Sequence, residues 1–407
     1  MAYTPPSPIL RRYARVLVRF ALNGGKGIRR DDVVWLVVPE IAKPLLLELR
    51  RAVLDAGAHA ITRYLPDSNE GRQMRFSRDF YERASLEQLR FFPRTYYRGL
   101  VDSIDHQLSI IADTDPFELR GIDPRRIMET SKSAKPFMEW RNEKERRGTF
   151  SWTLALYGTS EMAREAGMSE RAYWNQIIKA CFLDTRDPIA HWKQVFSMIE
   201  RFKRKLDAMR IEKLHVFGKD ADLQISLGEK RQWLGGRGAN IPSFELFTSP
   251  DWRGTEGWIR FNQPLYRYGT LVTGIELAFK RGRVTHVRAK QNARTLKEMV
   301  RVKNADRVGE FSLTDRRLSR ITKFMATTLF DENVGGRFGN THIALGSAYT
   351  DAYTGDQSKL TKADWARLGF NRSVVHTDII STTDRTVTAH LVGGAEKVIY
   401  KNGQFTL

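Results

Sequence analysis

Apolar and polar positions alternate along this chain in two different textures. Residues 11–22 carry apolar side chains at helical spacing until Gly24-Gly25 breaks the pattern. Asp32-Val-Val-Trp-Leu-Val-Val38 is a short continuous apolar run ending at Pro39, the signature of a buried strand. Residues 40–56 read as an amphipathic helix closed by Gly57, and Ala60–Leu65 as the next strand. Strand, helix and strand within about 35 residues make a βαβ unit and predict a parallel sheet. Further strands are expected at Gln107–Ala112 and Phe150–Leu156, alternating with helices at 77–91, 124–146 and 160–181. A long amphipathic helix is expected over 188–209.

Beyond that helix the pattern turns to short alternating strands. They are expected at 214–217, 222–227, 257–261, 269–279, 283–290 and 393–400, with helices near 291–301 and 314–330. The fold expected is an α/β N-terminal domain with a mainly parallel sheet, residues 1–195. A β-rich α+β catalytic domain follows, residues 196–407.

Composition narrows the classes. The 407 residues are 41% hydrophobic and 28% charged, which fits a globular protein and excludes a disordered or fibrous one. The single cysteine, Cys181, excludes a disulfide framework and any Cys-based metal site. No run reaches the length of a membrane span, and no basic segment leads into an apolar one at the start; the expected location is cytoplasmic. The net charge of +20 is uneven: about +6 in residues 1–200 and about +14 in 201–407. A basic half raises nucleic acid as an alternative partner, but no basic helix interleaved with aromatics accompanies it, so nucleic acid is not the expected partner.

The chain lacks a His-Glu-x-x-His helix, a Gly-x-Ser-x-Gly elbow, a Walker A loop and a Gly-x-Gly-x-x-Gly fingerprint. What remains is a set of carboxylates and histidines in the second half. His376 and Asp378, two apart within Val374–Ile380, would share one face of a strand. Such a pair holds a metal or simply hydrogen-bonds. His342 opens a run of small residues, and Tyr349 lies seven positions on, on the same face only if the segment is helical. Glu310 and Glu245 sit within otherwise apolar stretches, where a carboxylate is either exposed or paired. Glu332 is a further candidate. Taken together, three or four carboxylates and two histidines match the ligand set of a two-metal hydrolase.

These segments resemble the thermophilic-type metallo-aminopeptidases, of the leucyl-aminopeptidase T and aminopeptidase S kind. The resemblance is carried by Asn240–Thr248, Gly309-Glu310, Asp331–Asn333, His342–Tyr349 and His376-Thr-Asp378, in order and at matching spacing. Tyr13-Ala14, Asp55-Ala-Gly57 and Asp184–Pro188 extend it to nearly the whole chain. It implies metal ligands at Glu245, Glu310, His342, His376 and Asp378, with Glu332 as a further member. It implies Glu310 as bridge and proton acceptor, and Tyr349 as the catalytic tyrosine. The implied activity is release of N-terminal amino acids from peptides with a free N-terminus, by a hydroxide bound to two divalent ions, zinc or cobalt. A homodimer is implied as well. Hydrolysis of another amide is the nearest alternative. Phe244 stands where many members have glycine, and its ring is expected to narrow the pocket or to tilt the carboxylate of Glu245.

Overall fold

The computed structural model describes residues 3–66, 75–267 and 270–407. They divide into two compact units, 1–191 with 237–241, and 192–236 with 242–407. The division falls inside the helix Pro188–Ala208.

The first unit is built on a five-stranded parallel sheet. Its order is His59–Leu65, Val33–Pro39, His106–Ile111, Ser151–Leu156, Asn240–Ile241. The apolar run at 33–38 pairs on both edges, which is why it shows no alternation. The helix Lys43–Leu54 buries Leu45, Leu49 and Val53 and links the first two strands. The last strand is a return of the chain from beyond residue 236, with no counterpart in the expected strands.

Helices expected as single rods are broken at capping residues. The 77–91 segment is Phe76–Arg83 and Leu86–Arg90, because Ser85 and Gln88 form a reciprocal capping box. The 160–181 segment is Ser160–Glu165 and Glu170–Ala180, parted by Gly167 at positive φ and recapped by Ser169. The 124–146 segment restarts at Lys135, with Pro136 in the new first turn.

The second unit holds an eight-stranded antiparallel sheet. Its order is Arg283–Arg288, Ile275–Lys280, Glu256–Phe261, Ala221–Ser226, Ile211–Gly218, Thr386–Leu391, Glu396–Lys401, Gln404–Phe405. A four-stranded antiparallel sheet follows the order His376–Ser381, Asn340–Gly346, Val308–Thr314, Glu245–Thr248. The expected strand 269–279 is two, Thr270–Val272 and Ile275–Lys280, parted by Gly274 at positive φ; residue 269 lies outside the described residues.

One expectation is overturned. Residues 314–330 do not form a helix. Thr314 ends a strand, and the helical segment that forms is the short Thr328–Asp331. Side chains capture the backbone in between. Asp315 accepts from the amides of Arg317 and Phe405, Ser319 donates to the Asn333 carbonyl, and Asp331 accepts from the amides of Met325 and Thr327. Such side-chain bonds compete directly with the helical ladder.

Candidate metal centre

The four-stranded sheet explains why these residues meet. In a strand, alternate side chains share a face. Thr314 pairs with Glu245, Ser312 with His342, and Ala344 with both Glu310 and Asp378 across the sheet. Glu245, Glu310, His342, His376 and Asp378 therefore project from one face. The segment around His342 is a strand ending at Gly346, and Tyr349 returns to the site from the loop that follows.

Gly309 is what aims Glu310. The pairing register slips between Val308 and Glu310, a bulge that turns the carboxylate onto the shared face. A Cβ on Gly309 would stand 2.3 Å from the Ser347 carbonyl oxygen. Only glycine fits. That same carbonyl accepts the Nδ1 hydrogen of His376 at 2.8 Å.

The side chains form two overlapping groups that share Glu310: Glu245, Glu310 and His342, and Glu310, His376 and Asp378, each with its donor atoms within 4.8 Å of one another. His342 Nε2 lies 3.2 Å from Glu245 Oε2 and 3.4 Å from Glu310 Oε1. His376 Nε2 lies 3.6 Å from Glu310 Oε2 and 3.5 Å from Asp378 Oδ1. The two oxygens of Glu310 thus face different groups. The side chains of His342, Glu310, Glu245 and Asp378 are all nearly covered, whereas that of His376 is 27% exposed, so the second group is the outer one on its His376 side.

The donor set fits divalent cations. Glu245, Glu310 and Asp378 are faced by the two histidines; the Ser312 hydroxyl donates to Glu245 at 2.8 Å, and Asp378 also accepts from its own backbone amide. Three carboxylates against two imidazoles leave uncompensated negative charge in a poorly solvated place. The nitrogen–oxygen separations match the roughly 3.4 Å edge of a tetrahedron with bonds of about 2.1 Å. Most exceed the usual hydrogen-bond length.

Crowding of like charges shows in the acid–base properties. Burial pushes the Glu310 carboxyl up to about 7; His342 draws it down, and Glu245 and Asp378 raise it further. Burial, with the charges of Glu245 and Asp378, also raises Glu332 well above the usual carboxylate range. Burial opposes charge on His376, but its bond to Asp378 and the charge of Glu310 prevail and lift it to about 9. His342 is raised in the same way, burial being outweighed by Glu245 and Glu310. Asp378 is lowered, its bond to His376 outweighing burial.

Glu332 lies in the turn after Thr328–Asp331, within electrostatic range of the site but outside both groups. Tyr349 is 45% exposed, its ring edge-on to His376 at 4.9 Å and tilted on Phe247 at 5.4 Å. Burial and the surrounding carboxylates raise its pKa, so its hydroxyl keeps its proton. Phe244 does not line the site. Its ring is fully buried and stacks on Trp192 at 5.2 Å, so it narrows nothing.

Sequence reasoning missed the supporting residues. Ser312 and Asn340 each lie two positions from a site residue on a strand, and that period of two was the available signal. Asn333, whose side chain accepts from the Phe244 amide at 2.6 Å, was marked only as the last residue of the Asp331–Asn333 segment, without a role.

A family model described as thermophilic metalloprotease (M29) matches residues 7–405. The chain is 26% identical to aminopeptidase PepS of Streptococcus thermophilus, over 98% of each chain. It is 27% identical to aminopeptidase T of Thermus thermophilus, over 98% of this chain and 99% of the other. The solved structure of wild-type AmpT from Thermus thermophilus superposes with a TM-score of 0.82 at 25% identity, covering 98% of this chain and 99% of that one. No helix among the described residues is long and apolar enough to cross a membrane. The chain therefore belongs to the thermophilic metalloprotease (M29) family, and it is a hydrolase of peptide bonds.

Proposed function

We propose that this protein is a dinuclear metallo-aminopeptidase, with Glu310 bridging two divalent ions. The observation that carries the reading is the division of Glu310: one carboxylate oxygen turned to His342, the other to His376. Glu245 and His342 would complete the deep ion's protein ligands, and His376 and Asp378 those of the outer ion. Zinc or cobalt, and a homodimeric assembly, come with the family resemblance and belong to this reading.

Bound there, such ions polarise the scissile carbonyl and make a water nucleophilic near neutral pH. The chain's own groups do the rest. Glu310 would hold both halves of the centre in register, one carboxylate oxygen turned to each group, and could take up the proton of an attacking water only at an oxygen that an ion leaves open. Tyr349 keeps its proton at the phenolic oxygen and donates it in a hydrogen bond to the oxyanion of the tetrahedral intermediate. Its hydroxyl has no partner among the described residues that would have to be broken first. A carboxylate beside the centre would hold the substrate's α-ammonium, and Glu332, outside both groups but within electrostatic range of them, is the candidate. An ammonium held beside the centre would select the first peptide bond and make the enzyme an exopeptidase.

The test is hydrolysis of leucyl-p-nitroanilide beside its N-acetyl counterpart. Cleavage of the free amine alone is expected. Equal cleavage of the blocked compound would mean a general amidase, and no metal-dependent cleavage of either would remove the reading.

A further inference from the structure

We propose that Asn340 is a positioning residue: it fixes the tautomer of His342 and so keeps Nε2 turned toward the metal face. The inference rests on the reading of His342 as a metal ligand. The logic needs no hydrogen positions. Asn340 is fully buried, and its amide end lies 3.2 Å from the Asp331 carbonyl and 2.9 Å from the Glu332 carbonyl. Both of those atoms can only accept, so the group facing them is the NH₂. The amide oxygen is then the atom facing His342 Nδ1, at 3.3 Å. An oxygen there requires Nδ1 to carry a hydrogen. The neutral ring must therefore present its lone pair at Nε2, the nitrogen that faces Glu245 and Glu310.

His376 receives the same instruction from a backbone atom, the Ser347 carbonyl. The two imidazoles are thus oriented by different means, and only that of His342 can be removed by substitution. Asn340 does a second thing with the same side chain. Its two donated bonds hold the main chain at Asp331 and Glu332, so the position of Glu332 and the orientation of His342 depend on one residue. Hydrogen-bond partners of metal-ligating histidines are worth roughly 10–100-fold in metal affinity.

The experiment is chelator competition with zinc and cobalt on full-length Asn340→Leu, Asn340→Asp and His342→Ala, with the visible spectrum of the cobalt-loaded proteins and the melting temperature of the stripped ones. Leucine preserves volume and removes every polar contact; aspartate keeps an acceptor opposite Nδ1. Asn340→Leu is expected to weaken one of two ions by roughly 10–100-fold and alter the cobalt spectrum. Its kcat should fall with KM little changed. Asn340→Asp should recover part of the affinity. If leucine does not fold, Asn340→Ala replaces it. Wild-type affinity in the apolar variant, or equal loss in the apolar and aspartate variants, overturns the proposal. His342→Ala separates the two levels. If it too keeps both ions at wild-type affinity, the ligand reading itself fails; if it loses one while the apolar variant does not, only the role of Asn340 fails.

Discussion

Glu310 and His376 carry protons in the stripped protein at pH values where their free counterparts would not. Both pKa values are raised, to about 7 and about 9. A raised pKa contributes stability that is fully present below the unfolded value, about 4.3 for Glu and 6.5 for His, and lost as pH rises through the folded one. The metal-free protein should therefore melt at progressively lower temperature between about pH 4.5 and pH 9, Glu310 giving up its contribution first and His376 last. Divalent ions replace those protons, and metal uptake should release them. Differential scanning fluorimetry of stripped and loaded protein across that range checks this; a flat profile for the stripped protein would contradict it. Asp378, whose pKa is lowered, loses its contribution only in acid and does not blur this window. Tyr349 gives a second prediction. Tyr349→Phe removes one donor to the oxyanion and should lower kcat by roughly 10²-fold with little change in KM. Steady-state kinetics on leucyl-p-nitroanilide decide it, and unchanged kcat would remove Tyr349 from the chemistry.

The elements that hold the site are short antiparallel strands, and the bulge at Gly309 is the most sensitive of them. Gly309→Ala drives a methyl group against the Ser347 carbonyl, 2.3 Å away, and disturbs the bond that orients His376. Overpacking of this kind costs about 1–3 kcal/mol. Thermal melts should register that loss, and activity should fall further than stability does, because Glu310 and His376 shift together. A variant of wild-type activity would mean that the bulge does not aim Glu310. This element was only half legible beforehand. Glu310 stood out as a carboxylate in an apolar stretch, but a bulge leaves no periodic trace, since it is an exception to the period of two. The His342 segment was ambiguous for a different reason. Its small apolar residues suit helix or strand, and sheet pairing on both edges decided the matter. Residues 314–330 misled because their apolar spacing is helical while Asp315, Ser319 and Asp331 spend their side chains on backbone groups. Propensity cannot foresee partners as distant as Phe405.

For the whole molecule, the change from a parallel sheet with helices to antiparallel sheets was readable from the switch between continuous apolar runs and alternating strands. The return of residues 240–241 to the first sheet was not, because two residues carry no periodicity. The residue types marked Glu245, Glu310, Glu332, His342, His376 and Asp378 as candidates and the resemblance joined them into one ligand set; pairing across four strands far apart in sequence explains the convergence of all but Glu332. The central claim is that Glu310 joins two ions into one catalytic centre. Chelator-stripped protein should be titrated with zinc or cobalt while metal uptake and leucyl-p-nitroanilide hydrolysis are followed together, beside Glu310→Gln. Activity is expected to saturate at two equivalents per chain, with the variant folded, weakened in uptake and slower by roughly 10³-fold or more. Saturation at a single equivalent, or a Glu310→Gln enzyme that turns over normally, would contradict a bridged dinuclear site.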